Sequence, residues 1–248
     1  MIIQVLSDLH LEFFKDKESI NEFLLSLRSN VDYIILAGDN FTYNKIGIQM
    51  ECVFNIFGSN VIFIPGNHEY YHTNFEYMDN LLTDYSNRYG MIFLNNSYFI
   101  KDDIIFIGAC GWHDVYDKTD AKYLNDFHII SDLRFDPYKA VGMNRISRKF
   151  FDDTMNEFKG KTMVCITHNS PLVDHTPTKY MGGNLNKFFV NDWSDLITTY
   201  NPKLWISGHN HQYKEFDKLG THFIENGYGY NKVGEIKDFK PKLEFVLH

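Results

Sequence analysis

Ile62-Phe63-Ile64-Pro65-Gly66-Asn67-His68-Glu69 carries a short apolar run straight into glycine, asparagine, histidine and an acid. Such a run is too short for a helix and suits a buried strand, so the polar residues stand where a strand ends. The same build recurs along the chain. Residues 3–6 lead into Asp8 and His10, residues 33–36 into Gly38-Asp39, residues 164–166 into Thr167-His168, and residues 204–206 into Gly208-His209-Asn210-His211. Each strand-like run therefore delivers Asp, Asn or His, the residue types that bind divalent metals through oxygen and imidazole nitrogen.

Helical patterns separate the first of these runs. Ser19 with Glu22 reads as a capping box ahead of Phe23, Leu24 and Leu27, and Met50, Val53, Phe54 and Phe57 mark a second helix face. Thr73 with Glu76 reads as the start of a third, carrying Phe75, Met78, Leu82 and Tyr85. Strands alternating with helices predict βαβ units and a parallel sheet, an α/β fold. Residues 91–109 then break into short runs split by turn-formers and predict a strand meander. Residues 110–136 form a long polar and aromatic connection, which predicts a wall of a substrate pocket built with Trp112, His113 and Arg134. Pro137 is expected to open a helix that Gly160 ends. Residues 185–197 read as one amphipathic helix with Phe188, Phe189 and Trp193 in the core, and short strands near 222–225 and 243–247 close the chain.

At 248 residues, 44% of them hydrophobic, the chain can bury a sizeable core, and residues 1–248 are read as a single domain. A net charge of −8 argues against a broad basic surface for nucleic acid. Cys52, Cys110 and Cys165 are odd in number and set among apolar neighbours, which argues against a disulfide framework and for the reducing cytoplasm. Residues 1–6 lack the basic start of a signal peptide, and no apolar run approaches the ~20 residues of a membrane span. A cytoplasmic protein without a membrane partner is expected; the sequence leaves its oligomeric state open.

Two divalent cations held ~3.5–4 Å apart can clamp a phosphate ester, and a hydroxide bridging them attacks phosphorus in line. Asp8, His10, Asp39, Asn67, His168, His209 and His211 supply enough side chains for such a pair if Asp39 is shared. Neutral imidazoles with only two carboxylates leave the pair cationic, which attracts a phosphate. His68, next to Asn67, is then free for proton transfer. His72, His113, His128, His175, His222 and His248 fit no such position. Most of these are expected at the surface, with His113 and His128 weighed for the pocket.

The chain resembles the calcineurin-like metallophosphoesterase superfamily at these same residues. Its blocks D-x-H, G-D, G-N-H-[DE], H-x-x-P and G-H-x-H stand here, in family order, as Asp8-Leu9-His10, Gly38-Asp39, Gly66-Asn67-His68-Glu69, His168-Asn169-Ser170-Pro171 and Gly208-His209-Asn210-His211. Leu9-His10-Leu11-Glu12, Trp112, Asn125-Asp126-Phe127, Trp205 and Asn226-Gly227-Tyr228 are similar to a bacterial and phage-type subgroup of small phosphoesterases. The resemblance implies a two-sheet αββα sandwich flanked by helices, with the motifs on loops along one edge. It also implies that Asp8, His10, Asp39 and His211 hold one metal and Asp39, Asn67, His168 and His209 the other. The metals it implies are Mn²⁺, Fe²⁺/Fe³⁺ or Zn²⁺. His68 would protonate the leaving group or stabilise the pentacoordinate phosphorus, with Asp39 as the other catalytic residue. Asn67, His68, Trp112, His113, Arg134 and Asn169 are the expected substrate contacts. Asn169 stands where many members carry a second histidine, and Trp112-His113-Asp114 replaces the common Trp-Thr-Asp.

The expected function is hydrolysis of a small phosphomonoester or phosphodiester. Two rivals carry less. A nuclease acting on short nucleic acids shares the motifs but conflicts with the acidic balance. A non-catalytic binding scaffold of this fold, such as the retromer subunit that keeps it, departs from the ligand set that is intact here.

Overall fold

The computed structural model describes residues 1–230 and 235–247. The apolar runs become two sheets. In the first, β1 (Ile2–Leu6), β2 (Tyr33–Ala37), β3 (Val61–Ile64) and β4 (Ile92–Phe93) lie parallel, and β11 (Glu244–Val246) adds antiparallel to β1. In the second, β6 (Ile104–Ala109), β7 (Thr162–Thr167), β8 (Leu204–Ser207) and β10 (Thr221–Asn226) are parallel. Antiparallel strands β5 (Ser97–Lys101) and β9 (Tyr213–Lys218) form its edges.

Alternation along each strand sorts the side chains into layers. Ile3, Val5, Ile35, Ile62 and Ile64 meet Phe106, Val164, Ile166, Leu204 and Ile206 between the sheets. The other face of the first sheet, with Leu6, Ile34, Leu36 and Phe63, packs on α1 (Lys17–Leu27), α2 (Ile46–Phe57) and α3 (Phe75–Tyr89) through Leu24, Met50, Val53, Met78 and Leu82. Ile107, Met163, Cys165 and Trp205 of the second sheet pack on Phe151 and Met155 of α7 (Lys139–Glu157) and on Leu196 of α8 (Ser194–Tyr200). The result is a helix–sheet–sheet–helix sandwich.

Several boundaries differ from the sequence reading. Asp16, not Ser19, caps α1: its carboxylate accepts the Ser19 N–H at 2.9 Å while the Ser19 hydroxyl accepts from Asp16, so the capping box sits one turn earlier. Asn74 rather than Thr73 caps α3, accepting from the Tyr77 N–H. The α7 helix begins two residues after Pro137 and ends at Glu157, before Gly160. The expected meander is divided: β4 extends the first sheet, and the chain turns at residues 95–96, with Asn96 in the left-handed region, to start a hairpin in the second. The expected helix over 185–197 is a 3-10 turn at Asn184–Phe188 and then α8, because Asp192 turns the chain by accepting the Ser194 N–H. Residues 110–136 fold as the short helices α4 (Lys118–Ala121), α5 (Asp126–Ile129) and α6 (Ser131–Phe135). Among the described residues, no helix is long and apolar enough to cross a membrane.

Candidate metal centre

Strand ends set the site. Asp8 and His10 follow β1, Asp39 follows β2, Asn67 and His68 follow β3, His168 follows β7, and His209 and His211 follow β8. All leave the carboxyl ends of parallel strands, where open α/β sheets present their ligand-binding loops. Asp8, His10, Asp39, His209 and His211 have φ between 46° and 74°, a left-handed conformation that non-glycine residues seldom hold. Each such residue costs on the order of 1–3 kcal/mol, so the surrounding structure must hold it in place. Glycines stand directly before Asp39, Asn67 and His209 and allow close approach: a Cβ on Gly66 would collide with the Asp39 carboxylate and the His168 ring.

Buried carboxylates are what hold these loops. Glu69 accepts from the backbone N–H groups of Asp39 (3.0 Å), Asn40 (2.7 Å), Phe41 (2.8 Å) and Gly66 (2.7 Å), binding the β2 and β3 loops together. Burial and then the charge of Asp39 push Glu69 up to about 7, against the pull of those N–H donors. Asp8 accepts the His209 N–H at 3.0 Å, joining the β1 loop to the β8 loop. On β10, Glu225 accepts from the Asn210 N–H at 3.2 Å and from Gln212 Nε2 at 3.1 Å, and meets His175 Nδ1 at 3.0 Å.

Among the described residues three groups of donors result: His10, Glu12 and His68 form one, and Asp39 belongs to the other two. Asp8, His10, Asp39 and His211 bring ligand atoms within 4.8 Å of one another, as do Asp39, His168 and His209. The donor chemistry fits a cation at each. His168 Nδ1–H donates to the Ala37 carbonyl at 2.9 Å, which leaves the Nε2 lone pair facing Asn67 Oδ1 at 3.2 Å and Asp39 Oδ1 at 3.3 Å. His10 Nδ1 is engaged by Glu12 Oε1 at 3.1 Å, and its Nε2 faces His211 Nε2 at 3.0 Å. Converging acceptors repel one another unless a proton or a cation lies between them. With protein groups alone, burial would lower His168, but Asp39 outweighs it and pushes it up to about 10. Burial and then the charge of His168 hold His209 well below its ordinary value, so it presents a neutral ring.

Further contacts orient the polar groups around these donors. Asp126 Oδ1 accepts from Asn67 Nδ2 at 2.8 Å and from the Tyr71 hydroxyl at 2.9 Å, which turns Asn67 Oδ1 toward His168. Glu12 Oε1 meets both His10 Nδ1 and His68 Nδ1, at 3.1 and 3.2 Å, so one carboxylate fixes two rings. His68 stacks on Tyr71 with ring centroids 4.2 Å apart, and its Nε2 lies 3.0 Å from the Tyr230 hydroxyl. Burial alone would lower His68; Asp39 and the Glu12 hydrogen bond outweigh it and push it up to about 9.

Residues 1–213 match the family described as Calcineurin-like phosphoesterase. The chain belongs to the calcineurin-like phosphoesterase family. It is 27% identical over 280 residues to Uncharacterized protein L509 of Acanthamoeba polyphaga mimivirus, covering 97% of this chain and 94% of that one. Its fold is similar to that of the phosphopantetheinyl hydrolase PptH from Mycobacterium tuberculosis, with a TM-score of 0.72 and 17% identity, over 93% of this chain and 90% of that one. It also resembles GAP50, the anchor in the inner membrane complex of Plasmodium, with a TM-score of 0.53 and 14% identity, over 92% and 72% of the two chains. Family members are metal-dependent, in keeping with the donor groups found here.

A cavity of about 460 Å³ opens over Asp39, Asn67, His68, His209 and His211. Four of the expected substrate contacts are not among its lining. Trp112 is buried against Tyr70 and Phe75, where its indole is core. His113 is buried with Nδ1 on the Val115 carbonyl, and burial pushes it down to about 4, so it is a neutral core histidine. Arg134 is exposed, with its guanidinium over Phe135. Asn169 is buried and donates to the Phe188 carbonyl at 3.0 Å, acting on the cavity through that neighbour. The same stretch does reach the cavity through Tyr123, Leu124, Asn125 and Asp126. Phe188 and Phe189 also line it, and Phe189 stacks on His209 with centroids 4.5 Å apart, so these rings face the site as well as the core. His175 is buried, not at the surface, and His248 lies outside the described residues.

Proposed function

We propose that the protein hydrolyses phosphomonoesters or phosphodiesters with two divalent cations, one on Asp8, His10, Asp39 and His211 and the other on Asp39, Asn67, His168 and His209. The observation that carries this reading is the pair of donor groups sharing Asp39, with ligand atoms within 4.8 Å in each. When bound, the cations supply charge to draw in the phosphate and acidity to activate a water for attack on phosphorus. The remaining steps belong to the chain. Asn67, held by Asp126, keeps its amide oxygen on the site and its amide nitrogen away from it. His68 carries a proton at Nε2, at the cavity wall beside Asp39 Oδ2 at 4.0 Å, and gives it to the leaving-group oxygen. Glu12 on Nδ1 holds the ring in place through that transfer and stabilises its charge. The Tyr230 hydroxyl takes the Nε2 hydrogen bond until an ester oxygen replaces it.

The reading is tested by reconstituting the purified protein with Mn²⁺ and measuring release of para-nitrophenol from bis(para-nitrophenyl) phosphate and from para-nitrophenyl phosphate. Turnover of at least one ester, abolished by EDTA and restored by added metal, is expected. Metal-loaded protein that turns over neither ester, nor any member of a wider panel of cyclic nucleotides, dinucleoside polyphosphates and short oligonucleotides, would contradict it.

A further inference from the structure

Behind the donor cluster lies a buried polar network that takes no part in the hydrolysis steps. Asn210 stands between His209 and His211, whose backbones are both left-handed, with φ of 74° and 49°. The Asn210 N–H donates to Glu225 Oε1 at 3.2 Å, and its side-chain Nδ2 donates to Ser170 Oγ at 2.9 Å. Ser170 lies two residues beyond His168, and the same segment runs on to the 3-10 turn Val173–His175. There His175 Nδ1 meets the second Glu225 oxygen, Oε2, at 3.0 Å, and Gln212 Nε2 donates to that oxygen at 3.1 Å. Ser170, His175 and Glu225 are fully buried, and Asn210 is nearly so. The segment that carries His168 and the loop that carries His209 and His211 are thus joined through Asn210 and Glu225.

Such a network is a poor source of stability. A buried carboxylate has a desolvation cost that its partners offset only in good geometry. His175 Nε2 is buried without a hydrogen-bond partner among the described residues, which adds to that cost. The imidazole sits 5.0 and 5.6 Å from the Phe216 and Phe223 rings, where an apolar side chain would pack without the cost. What the network supplies is position. Left-handed backbone on both sides of one residue persists only where the surroundings over-determine it, and Asn210 is gripped by its main chain from β10 and by its side chain from the loop after β7. The effect reaches both donor groups that share Asp39, because His211 belongs to one and His209 to the other. We propose that Asn210, Glu225 and His175 are positioning residues that hold His209 and His211 in register for two cations at once. This role rests on the dinuclear centre proposed above, and it falls partly on the open position of the G-H-x-H block.

Chelator competition on the Mn²⁺-loaded protein, with bound metal counted by elemental analysis, reads this role apart from turnover. Glu225→Leu removes both acceptor oxygens and is expected to weaken both ions ~10- to 100-fold, the scale for losing a group that orients a metal ligand. Glu225→Gln keeps one oxygen for the Asn210 N–H and is expected to lose less. Asn210→Ala removes only the Ser170 contact, at the cavity wall, and is expected to weaken both ions about 10-fold. Urea unfolding of each variant supplies the control. A network that served stability alone would shift the unfolding midpoint and leave the Mn²⁺ affinity of the folded protein unaltered, and that result overturns the proposal. Weakening of one ion alone, or equal losses in Glu225→Leu and Glu225→Gln, also overturns it. If Glu225→Leu does not fold, Glu225→Gln and Asn210→Ala carry the comparison. Hydrolysis of bis(para-nitrophenyl) phosphate is measured alongside. Two ions weakened together, with no turnover in the unsubstituted protein, would leave the positioning role standing and sink the proposed reaction. Turnover with unaltered Mn²⁺ affinity in the variants would do the reverse, and an unsubstituted protein that binds no Mn²⁺ would overturn both.

Discussion

The donor cluster and the aromatic wall share one cavity but are built in opposite ways. At the donor end, five side chains leave left-handed backbone at strand ends, and buried Glu69, Asp8 and Glu225 carboxylates lock the loops through main-chain N–H groups. The wall is built from residues 123–126, between short helices, and from 3-10 turns and loops within residues 180–189, and Tyr123 and Tyr180 stand 66% and 51% exposed. The difference teaches where precision is needed. Charges placed within a few ångströms of phosphorus require rigid supports, whereas a surface that recognises an alcohol by area and shape can rest on loops.

His68→Ala attacks the rigid end at the side chain proposed as its proton donor. Loss of the proton donor is expected to lower kcat by ~10²- to 10⁴-fold while both metals remain bound, as measured by steady-state kinetics beside elemental analysis. Loss of a metal in this variant would make His68 a ligand and blur the division of roles. Glu69→Ala tests whether the supports themselves matter. It leaves the buried N–H groups of Asp39, Asn40, Phe41 and Gly66 without their acceptor. Breaking one buried charge-assisted bond costs ~1–3 kcal/mol, and several are lost together. A fall of ~3 kcal/mol or more in urea-unfolding stability is expected, and a change under ~1 kcal/mol would show that the loops hold without the clamp. The smallest effect is expected from Arg134→Ala, since an exposed guanidinium that does not line the cavity contributes little. Kinetics on esters with and without a second charge should match the unsubstituted protein. A KM rise confined to the doubly charged esters would return Arg134 to the wall and break the contrast drawn between the two ends.

The donor end was legible in the sequence because each proposed ligand follows a short apolar run, and that juxtaposition survives without knowledge of the fold. The supports were harder to read. Glu12 is an acid two residues past His10, indistinguishable by spacing from a surface residue until it reaches both His10 and His68. Glu69 was legible as part of a motif but not as an acceptor of four N–H groups, since those donors belong largely to another loop. Tyr230 reaches His68 across 162 residues of chain. In the wall, Trp112 and His113 carry the right chemistry, yet strand β6 turns them into the core, and no periodic pattern in residues 110–136 signals which aromatics face out. Strand β9, Tyr213–Lys218, was missed because an edge strand with largely exposed polar residues lacks the apolar run that marks the others.

The shared carboxylate is the centre of the account, and counting metals tests it most directly. Elemental analysis of the Mn²⁺-reconstituted protein should give two metals per chain, and Asp39→Ala, compared under the same reconstitution and shown folded by circular dichroism, should retain neither tightly and have no activity. Two tightly bound metals in Asp39→Ala would contradict the bridging role of Asp39, and with it the dinuclear centre proposed here.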